Sequence, residues 1–266
     1  MDERARRVAL VTGGDGRVGK ATAMKLAESG WAIFLQTSSE QVDAKQALDD
    51  VVTAGEDSGL ETQVAAARAD LANHEHREQL IEQTLDTFGQ IDLLVNAAWN
   101  SPPEVCDLLE IAEPAFCEVM ESTATATLFL TQLVANEMVR QVQAGLIENP
   151  RIVTINSLGA YTSSTGHGPQ CISRAALAMM TQLFADRLGE FGINVYEIRV
   201  GILSAGTADP VHAQYNTLIE EGLTPIRRWG HPNDVAGAVV AVAENLLAFS
   251  TGEVINVDGG FHLRRL

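Results

Sequence analysis

The sequence predicts an α/β domain built on one doubly wound parallel sheet with helices on both faces. Three observations lead there. Short apolar runs of strand length alternate with amphipathic stretches of helix length along the chain. The first run, Val8-Ala9-Leu10-Val11, passes through a glycine-rich turn directly into a helical pattern. The chain has 266 residues, 46% hydrophobic and 20% charged, which is enough for a large buried core and unlike a disordered polypeptide.

The glycine-rich turn is Thr12-Gly13-Gly14-Asp15-Gly16-Arg17-Val18-Gly19, after which Val18, Ala21, Thr22 and Leu26 share one helix face. Glycines here let the backbone approach a pyrophosphate, and the helix N-terminus offers free N–H groups and the positive end of its dipole. Gly13, Arg17, Val18 and Gly19 are therefore candidate nucleotide contacts. The competing reading is a tight βα turn with no ligand. Gly30 precedes a second strand at 32–35, followed by Gln36-Thr37-Ser38-Ser39. In dinucleotide folds an acid at this strand end holds the ribose 2′-hydroxyl of NAD, and none stands at Gln36, Thr37 or Ser38. An adenosine 2′-phosphate would meet the hydroxyls of Thr37 and Ser38, with Arg17 supplying charge, so NADP(H) is the expected nucleotide. The competing reading is a polar, solvated edge.

Residues 40–54 read as an acidic amphipathic helix with Val42, Leu48 and Val51 toward the core. A third strand at 62–67 ends at Ala69-Asp70-Leu71. Asp70 either accepts from an adenine amino group or caps the helix starting near Asn73. Gly89 stops that helix, and a fourth strand at 91–96 ends on Asn96. One long helix is expected over 113–142, with Phe116, Val119, Met120, Leu128, Leu133 and Val134 apolar. The fifth strand, 151–155, ends at Asn156-Ser157, and a loop over 158–169 carries Tyr161 and His167. The next helix starts at Gln170 and turns Leu177, Met180, Thr181, Phe184 and Leu188 to one face. A sixth strand spans 193–200. His231-Pro232-Asn233-Asp234 opens the last large helix, with Asn233 or Asp234 as its cap. The seventh strand is 252–257. No repeat or linker divides the chain, so a single domain over 1–266 is expected.

Composition excludes several classes. Net charge is −17, with acids spread over helices, which argues against a nucleic-acid or anionic-membrane partner. No apolar run approaches the ~20 residues of a membrane span. The charged start enters a strand at once, unlike a secretory signal. The cysteines, Cys106, Cys117 and Cys171, lack metal-ligand spacing, so no metal and a reducing cytoplasmic setting are expected.

Together TGGDGRVG, ADL, IDLLVN, INS, the serine-containing loop before a helix, RVG and GEVINVDGG resemble the short-chain dehydrogenase/reductase family, over Val8 to Gly260. The C-terminal half is similar to the 3-oxoacyl-carrier-protein reductase branch. Arg17, where most members have glycine, is similar to pteridine reductases. The resemblance implies a single Rossmann-type sheet of about seven strands, NADP(H) binding, and a catalytic tetrad of Asn, Ser, Tyr and Lys. It implies that Asp70, Leu71 and Asn96 contact cofactor and that Gly201 and Ile202 face the nicotinamide. It further implies a lid near 202–228, and a homodimer or homotetramer joined through the two long helices.

Carried over residue by residue, the tetrad is altered. Ser157 matches the serine that orients a substrate carbonyl. The tyrosine falls on Gln170 and the lysine on Arg174, in a register fixed by Ala175-Ala176-Leu177, and the asparagine falls on Thr123. Trp99 stands where the family keeps a glycine beside the cofactor path. Glutamine cannot release a proton near neutral pH, and arginine stays charged although its fork still suits ribose hydroxyls. Three readings follow. One is a reductase-lineage protein that binds NADP(H) or a small carbonyl or acyl-type ligand with little or no turnover, alone or beside an active relative. Another is an atypical reductase whose proton donor is His167 or Tyr161. The third is a scaffold without nucleotide binding.

Overall fold

The short apolar runs become strands because each is buried on both faces. Val8 to Val11 and Ala32 to Leu35 are 0–2% exposed, as central strands of a parallel sheet must be. The computed structural model describes residues 7–38, 41–60, 62–98, 105–204 and 210–265. Its strands are β1 (Val8–Val11), β2 (Ala32–Thr37), β3 (Val64–Arg68), β4 (Leu93–Asn96), β5 (Arg151–Ser157), β6 (Asn194–Val200) and β7 (Glu253–Val257). They form one seven-stranded sheet in the order β3-β2-β1-β4-β5-β6-β7, every pair parallel.

Helices cover both faces. α1 (Arg17–Glu28), α2 (Gln41–Asp57) and the last large helix lie on one side, around a core that includes Leu26, Trp31, Val51, Val153, Ile198, Val235 and Val239. On the other side α3 (His74–Phe88), α5 (Ala126–Gln143) and α6 (Gly168–Leu188) enclose Leu10, Leu80, Leu130, Met138, Ile152 and Leu188. The sheet order reverses between β1 and β4, which opens a crevice at the carboxyl ends of these strands.

Several local expectations are corrected. The single helix over 113–142 is α4 (Glu113–Met120), a π-helical turn over Glu121–Thr125, and then α5. An uninterrupted apolar periodicity does not reveal one inserted residue. α6 starts at Gly168, two residues before Gln170, with Pro169 in its first turn. The lid-region helix is α7 (Pro210–Glu220). The last large helix is α8 (Pro232–Ala243), and neither Asn233 nor Asp234 is its N-cap. Pro232 takes the first helical position, so His231 is the cap, and Asp234 closes a capping box by accepting from the His231 N–H at 2.8 Å. α3 is capped by Asn73, whose Oδ1 accepts from His76 N, and not by Asp70.

Candidate functional site

The crevice is a cavity of about 1060 Å³ floored by the ends of β1, β2 and β4. Its first wall is the glycine turn. Gly13 holds φ at +63°, and a Cβ there would sit 2.7 Å from the Ala97 carbonyl oxygen. A Cβ on Gly19 would lie 2.1 Å from the Gly13 oxygen, so α1 packs directly on the turn. Gly16 caps α1 without a side-chain hydrogen bond, which leaves the first-turn N–H groups for a ligand. Gly13, Arg17 and Val18 line the cavity, while Gly19 is buried behind it.

The second wall is built by β2 and β3. Alternation along β2 sends Gln36 and Ser38 to the cavity and Thr37 the other way. Thr37 is 1% exposed, its hydroxyl has no partner, and it does not line the cavity. Gln36 ties the walls together. Its Oε1 accepts from Gly13 N at 2.9 Å and its Nε2 donates to the Ala69 carbonyl at 2.6 Å. Ser38 donates through both its N–H and its hydroxyl to Asp15 Oδ2, at 3.0 and 3.1 Å. Asp70 and Leu71 line the cavity with Arg68 and His76, and the Asp70 carboxylate accepts from Ala72 N at 3.0 Å. Asn96, 5% exposed, also lines it and donates to the hydroxyls of Thr131 and Thr154 at 3.0 and 3.4 Å.

Gly201 and Leu203 close the inner end. Ile202 does not; it lines a second cavity of about 350 Å³ beside Thr224, Arg228, Asp258 and His262. Consecutive residues in the extended segment after β6 face opposite ways. Thr123 is buried in the π turn and is not a lining residue, whereas Ser122 beside it is. Trp99 lies outside the described residues.

Ser157 ends β5, its Oγ accepting from Gly159 N at 3.3 Å. A Cβ on Gly159 would meet Ser157 Oγ at 3.4 Å and Arg174 Cγ at 3.7 Å, so these two functional positions converge on one glycine. Arg174 is 4% exposed, and burial pushes its guanidinium down to about 10. Gln170 is half-buried, and its Oε1 is enclosed without a hydrogen-bond partner. Beneath them lies Asn156, fully buried. Its Nδ2 donates to the Arg174 carbonyl at 2.9 Å and to Glu197 Oε1 at 2.8 Å, and its Oδ1 accepts from Ser157 N at 2.9 Å. Glu197, with no exposed surface, also accepts from Arg199 Nε at 2.7 Å.

The two candidate proton donors lie in the segment between β5 and α6. His167 is exposed, with Nδ1 2.9 Å from the Ser164 hydroxyl. Tyr161 stacks under the Arg199 guanidinium at 5.3 Å. Burial first, and then the negative charge of the Asp258 carboxylate, push its phenol up, against an opposing pull from Arg199. Asp15, Gln36, Asn156 and Glu197 have site roles that the sequence did not assign to them. For Gln36 the signal was available in its parity with Ser38 on β2.

Among the described residues no group of three or more His, Cys, Asp or Glu could hold a metal ion, and no helix is long and apolar enough to cross a membrane. A parallel sheet with a glycine turn and an uncapped helix N-terminus at its switch point defines a dinucleotide-binding α/β protein. The enoyl-(acyl carrier protein) reductase family model matches residues 16–262, and the chain belongs to this branch of the short-chain dehydrogenase/reductase family. It is 28% identical to a 3-oxoacyl-[acyl-carrier-protein] reductase of Synechocystis sp., over 96% of each chain. It is 30% identical to the (2S)-[(R)-hydroxy(phenyl)methyl]succinyl-CoA dehydrogenase subunit BbsD of Thauera aromatica, again over 96% of each. The crystal structure of a 3-oxoacyl-[acyl-carrier protein] reductase from Brucella melitensis in complex with NAD superposes with a TM-score of 0.90 at 34% identity, covering 99% of this chain and 100% of that one.

Proposed function

We propose that the chain binds a nicotinamide dinucleotide in the cavity over β1, β2 and β4, and that its carbonyl reduction is weak or absent for want of a proton donor. The carrying observation is the first two turns of α6. Gln170 stands at the tyrosine position with an amide that cannot release a proton near neutral pH. Arg174 stands at the lysine position and, even at about 10, remains a cation at neutral pH. The residues fit the cofactor: the free N–H groups of α1 suit a pyrophosphate, Asp70 and Leu71 an adenine, and Arg174 a ribose. The dinucleotide would supply hydride. Ser157 would orient a carbonyl, while Gln170 and Arg174, at the positions of the family's tyrosine and lysine, would not deliver the accompanying proton. Loss of a positioned general acid slows such a reaction by about 10²–10⁴-fold.

Relatives named for 3-oxoacyl-carrier-protein and acyl-CoA chemistry favour a small carbonyl or acyl-type ligand, with α7 as part of a lid over it. The atypical-reductase reading is less favoured: the Nδ1 of the exposed His167 lies 2.9 Å from the Ser164 hydroxyl, and burial pushes the Tyr161 phenol up from its ordinary value. The scaffold reading is disfavoured by the size of the cavity. A homodimer or homotetramer is favoured by the exposed Phe129 of α5 and the exposed Met179 and Leu183 of α6. Sedimentation as a monomer at micromolar concentration would remove that expectation.

The test is the double variant Gln170→Tyr with Arg174→Lys, assayed with NADH and NADPH on 3-oxoacyl thioesters. Turnover rising by about 100-fold or more over the parent supports the reading. A folded double variant that binds nucleotide and gains nothing overturns it.

A further inference from the structure

We propose that Asp15 makes this cleft select NAD(H) over NADP(H), by placing a carboxylate where the adenosine 2′ position is read. The inference rests on the dinucleotide reading above and adds the specificity of that site. It reverses the expectation drawn from the end of β2.

Dinucleotide folds recognise the unphosphorylated ribose through an acid at the end of the second strand. What the ribose meets is a carboxylate at that place in space, whatever part of the chain supplies it. Here β2 ends in Thr37 and Ser38, yet a carboxylate is held there. Asp15 reaches across from the glycine turn, 23 residues earlier, and its Oδ2 accepts from both Ser38 N and Ser38 Oγ. Asp15 and Ser38 line the same cavity.

The same contacts remove the donors that a 2′-phosphate would use. The Ser38 hydroxyl and N–H are directed at Asp15, and Thr37 is buried on the other side of the strand. A 2′-phosphate, carrying about −1.5 to −2 charges, would instead lie against a carboxylate. Two cations line the cavity as well. Arg17 is the exposed first residue of α1. Arg68 ends β3 on an exposed side chain, where its attraction is screened by salt. Neither is fixed at the β2 end as Asp15 is. Like charges a few ångströms apart at a protein surface change affinity by roughly one to three powers of ten.

The test is calorimetric titration of the full chain with NADH and NADPH, and with ADP-ribose and its 2′-phosphate, which report the adenosine end without the nicotinamide ring. The wild type is expected to bind NADH and ADP-ribose at least about tenfold more tightly than their 2′-phosphorylated counterparts. Asp15→Asn, with Asp15→Ser as the second variant and melting temperature as the check on folding, closes or reverses that ratio. Equal or tighter binding of the 2′-phosphates by the wild type overturns the proposal. So does a ratio unchanged in both variants, and in these two cases the dinucleotide site itself stands. Binding of none of the four ligands overturns the site and the selection together.

Discussion

Asn156→Ala is expected to damage both the fold and the cleft, because one buried amide holds three strategic groups. Asn156 is fully buried and donates to the Arg174 carbonyl and the Glu197 carboxylate while accepting from Ser157 N. A neutral hydrogen bond contributes about 0.5–1.5 kcal/mol and one to a charged group about 1.5–3 kcal/mol. Removing all three, with the cavity left behind, should destabilise the chain by about 3–5 kcal/mol. That is a large fraction of the roughly 5–15 kcal/mol by which a protein is stable. Equilibrium urea unfolding near neutral pH reads the loss directly. Dinucleotide titration of the folded fraction should show weakened binding, since Ser157 and Arg174 are no longer pinned to one another. Asn156→Asp sharpens the test. Ionised, it has no proton to donate to Glu197, and it sets two carboxylates within hydrogen-bond distance, which cannot both ionise. Its shared proton is held more tightly folded than unfolded, so its stability is retained at low pH and lost as pH rises. The gap to wild type should widen from about pH 5 to about pH 8. A loss below about 1 kcal/mol for Asn156→Ala, or a pH-independent gap for Asn156→Asp, would refute the reasoning.

Gly19→Ala puts a methyl 2.1 Å from the Gly13 carbonyl oxygen; a stability loss of about 1–3 kcal/mol and dinucleotide affinity lowered tenfold or more are expected, and unchanged calorimetric binding would contradict the packing argument. Asp234 is held down to about 2, first by its hydrogen bonds with Arg228. Its contribution is therefore present above the usual carboxylate value and is lost as pH falls from about 4 to about 2, so thermal melts of Asp234→Asn should converge with wild type across that window. Melts that stay parallel would exclude it. Tyr161→Phe and His167→Ala should leave any carbonyl turnover within about twofold, and a drop of about tenfold or more in either would restore that residue as the proton donor.

Much of the architecture was readable because it is local. The strands announce themselves as apolar runs, and the turn at 12–19 needs glycine for its backbone. The register of α6 follows from Ala175-Ala176-Leu177, which is how Gln170 and Arg174 are recognised at altered positions. The differences come from parity and insertion. The place of Thr37 and Ile202 in the chain suggests the cleft, yet neighbours on extended backbone face opposite sides and neither lines the large cavity. The π turn over Glu121–Thr125 interrupts a helix whose apolar pattern runs straight through it.

The sequence by itself determined a doubly wound sheet and its glycine turn, and it places Gln170 and Arg174 where the family resemblance leads one to expect tyrosine and lysine. These follow from hydrophobic period, glycine geometry and side-chain chemistry, which act over a few residues. Only the tertiary structure decided which groups share the cleft. Asp15 meets Ser38, Asn156 joins Ser157 to Arg174 and Glu197, and Tyr161 stacks against Arg199. Those pairings depend on strands distant in sequence being laid side by side, so that buried polar atoms find partners no local pattern encodes.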